Sequence, residues 1–552
     1  MASQREGFSR TRMTLYLGFD SSTQSLTALV LEVDGDRKQI VFESAIEFDR
    51  ELPEYGTVHG VLPDPDPAIA VSSPLMWADA LDRMMKRLVD SDLDLSRLAA
   101  ISGSAQQHGS VYLNARAASG LASLDPARPL AGQIAAMLAR PAAPIWMDTS
   151  TSAECEEIAQ AAGGSAVVAQ RTGSRPFERF TGPQIRKFFK RDPAAYAATD
   201  RIHLVSSFMA SLLAGAHAAL DPGDGSGMNL MDLDACRWWP VAIDATAPSL
   251  IDKLPSLAPS STIVGRLSPY WQQRYRLPPA RVVAWSGDNP CSLVGTGLVA
   301  EGRVAISLGT SDTIFGLMRT PRVDPSGTGH VFGSPTGAYM GLTCFKNGSL
   351  ARERVRDAFG MTWDDFSRAL DAAPPGNGGR ILIPWFEPEI TPSVAIGGER
   401  RYGLAADEAR GNVRGVIEAQ QMSLALHSQW MGVDIREIHA TGGAAVNRAI
   451  LHVMADVFGA DVFPFDVANS AALGAVLRAY HADRLADARP IEWDAVVADI
   501  AEPGERARIA PDARRHAIYR ELLRVYEACE AHALGRGPDP APAIAAWRRG
   551  SG

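Results

Sequence analysis

Apolar runs of strand length alternate with stretches whose apolar residues recur every three or four positions along most of the chain. That pattern predicts an α/β protein with helices packed on sheets. Strands are expected at "LAAISGSA", "RVVAWSG", "GRVAISLG" and "EIHATGG"; helices are expected at "SPLMWADALDRMMKRLVD", "RGVIEAQQMSLALHSQWMGV" and "AVNRAILHVMADVFGA". The stretch "TLYLGFDSSTQSLTALVLEVDG" (14–35) reads as two apolar strands around a turn holding Asp20, Ser21, Ser22, Thr23 and Gln24. "GRVAISLGTSDTIFGLMRT" (302–320) repeats the design: apolar strand, Leu-Gly, a Ser/Thr/Asp turn, apolar strand. A duplicated hairpin in each half predicts two related domains, each lending one loop to a shared cleft.

Length supports this division, because 552 residues exceed what one hydrophobic core holds. Hydrophobic residues make up 46% and charged residues 21%, the balance of a globular protein rather than a disordered one. The net charge is −9 and no block of Lys or Arg stands out, which argues against a nucleic-acid partner. Five cysteines without CxxC spacing fit reduced thiols better than a disulfide frame or a zinc site. The most membrane-like segment, "HLVSSFMASLLAGAHAAL" (203–220), carries two histidines and three serines and is read as a buried helix, so no membrane partner is expected. Residues 1–12 read as a disordered leader without a secretory signal. The Pro/Ala-rich end, 536–552, reads as a flexible tail. A soluble, cytoplasmic protein is the resulting expectation.

Hydroxyl- and glycine-rich turns expose N–H groups that cradle phosphate oxygens. A carboxylate in such a turn would repel phosphate unless a cation lay between, and Mg²⁺ binds one or two carboxylates together with phosphates. Asp20 in "LGFDSSTQS" therefore makes sense as half of a magnesium–nucleotide site. No Gly-Lys pair occurs, so a Walker A loop is absent, as are the HRD and DFG motifs of protein kinases and the GxSxG and HExxH signatures. In "HATGGAAVNRAILHVMADVFG" a strand runs into Gly442 and Gly443 and then a helix bearing Asn447, which places glycine backbone at a helix N-terminus open to an anion or nucleoside. Asp288 and Asn289 follow "RVVAWSG", and Gln106, Gln107 and His108 follow "LAAISGSA", at the carboxyl ends of strands where α/β clefts form. Taken singly, a strand-end aspartate is more often a helix cap, and a histidine there a satisfied core residue.

Together and in order, "YLGFDSSTQS", "SGSAQQHGS", "TGSRPFERFTGPQIRK", "DGSGMNLMD", "SGDNPCSLVGTG", "ISLGTSDT", "CFKNGSLARE" and "ATGGAAVNRAIL" resemble the FGGY family of carbohydrate kinases, over nearly the whole chain. "QQHGS", "GSRPFERFTG", "DGSGMNLMD" and "CFKNGS" resemble its eukaryotic-type xylulose kinase branch. The resemblance implies a two-domain actin-like ATPase (ribonuclease H-like) fold with an interdomain cleft, divided as 13–297 and 298–535. It implies ATP and Mg²⁺ as cofactors, and phosphorylation of the sugar D-xylulose in a monomer or homodimer. By position it implies Asp288 as catalytic base, and His108, Arg175, Asn289 and Gln107 as sugar contacts. Asp20 matches the Mg²⁺-organising carboxylate. Thr23, Gln24, Gly309, Thr310 and Ser311 match the two phosphate loops, and Gly442, Gly443, Asn447 and Trp363 the nucleoside side. An acidic residue at Asp312, beside the second loop, departs from the pattern, with its side chain either turned away or aiding the metal. The rivals are a sister kinase for another ketopentose or a polyol, and a non-kinase ATPase of the actin/chaperone type.

Overall fold

The computed structural model describes residues 13–465, 469–501 and 508–550, so the expected leader lies outside the described residues. The first hairpin forms β1 (Thr14–Ser21) and β2 (Ser25–Asp34), and β3 (Arg37–Glu47) pairs antiparallel with β2. Strand β4 (Leu98–Ala105) runs parallel to β1; β5 (Ile263–Arg266) and β6 (Arg281–Val283) extend the sheet in the order β5-β6-β4-β1-β2-β3, and a short seventh strand, Ser286–Gly287, pairs with β4. The second sheet is built from β7 (Arg303–Leu308), β8 (Asp312–Met318), β9 (His330–Gly333), β10 (Tyr339–Phe345), β11 (Glu437–Thr441) and β12 (Asp461–Pro464), in the order β9-β10-β8-β7-β11-β12. In each sheet an antiparallel hairpin meets a third strand on one side and two parallel strands on the other. The repeat seen in two hairpins thus extends to five strands per domain.

Strand β1 is apolar at almost every position because both faces of its sheet are covered. Leu15, Leu17 and Phe19 join a core that includes Trp77 and Met84 of the helix Pro74–Val89. Tyr16 on the other face joins Ala472, Val476 and Leu477 of the helix Ser470–Ala486. That second cover arrives from the far end of the chain. This helix, which follows the last strand of the second sheet, lies on the first sheet. Its run of buried residues from Ala471 to Asp483 leaves no solvent face there, so it needs neighbours on all sides.

Two expectations change. The segment 203–220 splits into a strand ending at Leu204 and a helix over Val205–Ala214, stopped by Gly215 in the left-handed region. No helix among the described residues is long and apolar enough to cross a membrane. Within the tail expected to be flexible, residues Ala541–Gly550 form a helix whose Ile544 is buried, and Arg548 Nε donates to Gly378 O at 3.0 Å. Alanine-rich sequence with proline near the start suits a helix N-terminus, and one apolar side chain per turn is enough to dock it.

Candidate active site

Backbone register brings the carboxylates together. Asp20 stands opposite Ser104 of β4, and Ser104 in turn pairs with Ser286, two residues before Asp288. Both acids thus sit at the carboxyl ends of parallel strands, Asp20 as the penultimate residue of β1 and Asp288 in the first turn of the helix Asp288–Gly295. Ser104 Oγ donates to Asp20 Oδ1 at 2.6 Å, and Asp288 Oδ1 accepts from Asn289 N (2.8 Å) and Asn289 Nδ2 (3.0 Å). These bonds and the helix N-terminus favour the charged forms, but burial wins. It raises Asp20 to about 6; burial, then the charge of Asp20, raises Asp288 to about 7.

Asp288 lines a cavity of about 250 Å³ between the domains. From the first domain come Gln107, His108, Trp146, Arg179, Phe180 and Asn289; from the second come Thr313, His330 and Phe332. His108 has φ 70°, in the left-handed region, and stacks on Phe180 with 4.2 Å between ring centroids. Its Nδ1 lies 2.8 Å from Gly227 O. A carbonyl only accepts, so Nδ1 carries the proton and Nε2 is left as an acceptor. Burial lowers this histidine to about 3, which keeps the ring neutral and able to take a hydrogen bond from a hydroxyl. Gln107 is committed to the protein: Nε2 donates to Gly223 O (3.4 Å) and Oε1 accepts from Asn289 Nδ2 (2.9 Å).

Arg175 is not brought to this cavity. It is exposed, with its guanidinium 4.4 Å from the centroid of Phe177. The arginine that lines the cavity is Arg179. In "SRPFER" two arginines stand four apart, and Pro176 disfavours the helical turn that would bring them to one face; residue type alone does not choose between them. Trp146, in "APIWMDTS", was also missed. Its Nε1 donates to Thr23 Oγ1 at 2.8 Å, tying the sugar-sized cavity to the first loop. The side chain of Gln24 is exposed, and its carbonyl accepts from Phe48 N at 2.9 Å.

A second cavity, about 560 Å³, opens on the second domain beside Gly309, Thr310, Trp363, Gly443, Val446 and Asn447. Trp363 is 40% exposed, with the Arg356 guanidinium 4.5 Å from its ring centroid, and Val446 is 86% exposed. Two exposed apolar groups flanking one slot suit a flat base. Gly442 has φ 85°, and a Cβ there would lie 2.8 Å from Leu308 O, so glycine is required just past the end of β11, beside β7. Gly442 and Ser311 do not line the cavity. Asn447 caps the helix Arg448–Phe458, its Oδ1 accepting from Ala449 N at 3.1 Å and Nδ2 donating to Ser367 Oγ at 2.8 Å.

The side chain of Asp312 turns away from the loop. Arg352 grips it with Nη1–Oδ2 at 2.8 Å and Nη2–Oδ1 at 3.1 Å, while Nη2 also donates to Gly309 O at 3.2 Å. Both side chains are buried, so Asp312 is a strut of the loop Gly309–Ser311. Arg352→Met strands a buried carboxylate and is expected to cost about 3–5 kcal/mol. It should also raise the KM for nucleotide more than that for sugar; denaturant melts and steady-state kinetics check the two effects.

A magnesium ion suits the pair of raised carboxylates, since a cation between them relieves the repulsion that helps hold Asp288 near 7. Among the described residues no group of three His, Cys, Asp or Glu side chains forms a protein-only cage. Mg²⁺ needs none when phosphate oxygens and water fill the remaining positions.

Comparison with known proteins narrows the reading. The N-terminal domain of the FGGY family of carbohydrate kinases matches residues 140–295, and its C-terminal domain matches 304–482. Mouse "Xylulose kinase" is 41% identical over 536 residues, 95% of either chain, and Arabidopsis thaliana "Xylulose kinase 2" is 42% identical over 490 residues, 85% of this chain and 87% of that one. Among solved structures, xylulose kinase from Rhodospirillum rubrum superposes with a TM-score of 0.77 at 19% identity, covering 95% of this chain and 99% of that one. Gluconate kinase from Lactobacillus acidophilus reaches the same 0.77 at 18% identity, with coverage of 95% and 98%, so shape by itself does not name the sugar. With two actin-like domains around a cleft and both family domains matched in order, the chain belongs to the FGGY family of carbohydrate kinases.

Proposed function

We propose that the protein transfers the γ-phosphoryl group of ATP to the terminal hydroxyl of D-xylulose, giving D-xylulose 5-phosphate and ADP. The observation that carries this reading is one small interdomain cavity in which Asp288, Asn289, His108 and Arg179 converge. Its volume is below the ~300–1,000 Å³ of pockets for drug-sized ligands and suits a small polyhydroxylated molecule. The names carried by the mouse and Arabidopsis relatives supply the choice of xylulose.

In this mechanism the carboxylate of Asp288 accepts the proton of the sugar hydroxyl as its oxygen attacks the γ-phosphorus, and the bond to the β,γ-bridging oxygen breaks, leaving ADP. His108 Nε2 accepts from one sugar hydroxyl, and Arg179 donates to another oxygen. The loops at Thr23 and Gly309–Ser311 offer N–H groups to phosphate oxygens. Asp20 would hold Mg²⁺ with the phosphates, and the ion would neutralise charge there. Domain closure excludes water, the competing acceptor. We also assign the enzyme to the cytoplasm, in keeping with five cysteines that are all free thiols.

Asp288 works only as the carboxylate, so activity of the free enzyme should rise through about pH 7, the value to which burial and Asp20 lift it. The charge of Asp20 raises that value, so Asp20→Asn should move the acidic limb of kcat/KM to lower pH while reducing the rate. An unshifted limb would break the coupling between the two acids. The substrate itself is tested by ADP release across ketoses and polyols.

A further inference from the structure

The arginine in the sugar cavity is held from across the cleft. Arg179 belongs to the first domain, and among the described residues it makes no ion pair; its hydrogen-bond partner is His330 of β9, in the second domain, with Arg179 Nη2 3.4 Å from His330 Nε2. A guanidinium only donates, so His330 Nε2 must be the unprotonated nitrogen. The proton then sits on Nδ1, which is 3.0 Å from Ser174 Oγ. His330 is buried where it lines the cavity, packed among Phe177, Phe180 and Phe332 with centroid separations of 4.7, 5.6 and 5.9 Å. Burial and the nearby guanidinium of Arg179 hold it well below the ordinary histidine value, so the acceptor nitrogen stays free of a proton.

We infer that His330 is a positioning residue for sugar recognition. It fixes Arg179 in the cavity from the opposite domain, so that the sugar site is complete only while the second domain is seated on the first. The chain Ser174–His330–Arg179 starts in the first domain, crosses to the second and returns. Separation of the domains breaks both links and leaves Arg179, among the described residues, only its contact with the Phe177 ring, 5.5 Å from the guanidinium, so it regains rotamer freedom, which costs sugar affinity. Sugar binding and closure are linked in either direction: what holds the domains together sharpens the sugar site, and sugar bound to Arg179 favours the closed form. This inference rests on the reading of the cavity as the sugar site, but not on which sugar it takes.

The test uses whichever sugar gives the fastest ADP release with the wild-type enzyme. His330→Phe keeps an aromatic ring among three phenylalanines and removes the acceptor; His330→Gln restores an acceptor oxygen near the position of Nε2. His330→Phe should raise the KM for sugar about tenfold, with the KM for ATP and the melting temperature within error of wild type, and His330→Gln should recover most of that loss. In an Arg179→Ala background, His330→Phe should have no further effect on the KM for sugar. Ser174→Ala, which frees the tautomer, should give a smaller rise of the same kind. A sugar KM unchanged in His330→Phe would overturn the inference. So would an equal rise in both substrates' KM values, or an undiminished effect once Arg179 is gone. If the preferred sugar is not D-xylulose, the substrate assignment fails while this test stands.

Discussion

Asp288→Asn is expected to lower kcat by about 10²–10⁴-fold, the range that general-base assistance supplies. Shape is kept: the side-chain oxygen still accepts from Asn289 N, as Asp288 Oδ1 does at 2.8 Å. Loss of rate should therefore come without loss of sugar affinity. Stability should move the other way. Asp288 is raised to about 7 in the fold, against an ordinary aspartate value near 4 in the unfolded chain. Between those values the folded state holds the proton and the unfolded state does not, so wild-type stability falls as pH rises from about 4 to about 7. The upper bound on that penalty is about 4 kcal/mol. An amide has no such penalty, so the variant should melt higher than wild type at pH 8 and nearer to it at pH 5. A slower enzyme that melts higher separates a catalytic role from a structural one; Asp288→Asn with near-normal turnover would remove Asp288 from the mechanism.

The second large effect is expected at the crossing of two helices. Gly474, on the helix Ser470–Ala486, packs so tightly on Asp288–Gly295 that a Cβ there would lie 1.9 Å from Cys291 O; a Cβ on Gly295 would lie 1.9 Å from Ser470 O. Neither obstacle is a flexible side chain end. Gly474→Ala must push the helices apart, and overpacking of this kind costs about 1–3 kcal/mol, occasionally more. The upper end is expected because backbone meets backbone. The same displacement moves the first turn that carries Asp288, so kcat should fall with the melting temperature. Gly132→Ala, where a Cβ meets nothing within 4 Å, is the control. Equal stability of the two variants would mean that the crossing tolerates separation.

What was legible in the sequence was what is local. The hairpin at 14–35 and its echo at 302–320 show themselves because apolar runs flank short polar turns, and each turn is set by neighbouring residues. Asp288 and His108 stand at strand ends, where clefts form for topological reasons. The parts that were not legible depend on what meets across the fold. Arg179 and Arg175 are the same residue type in one motif, and only the path of the loop around Pro176 separates them. His330 lies in "GTGHVFGS" without chemical company, since Arg179 and Ser174 are more than 150 positions away. Asp312 departs from the pattern of its loop because its partner, Arg352, stands forty residues on. The helix Ser470–Ala486 follows the second sheet in sequence but covers the first, a placement that no local pattern encodes.

The most direct test of the central claim is ADP release from MgATP by the purified protein with D-xylulose, D-ribulose, erythritol, glycerol and gluconate, each against a no-sugar control. The expected result is sugar-dependent ADP formation with the highest kcat/KM for D-xylulose. Highest activity with ribulose or erythritol would contradict the substrate, and ADP release indifferent to every sugar would contradict the assignment of the interdomain cavity as a phosphoryl-acceptor site.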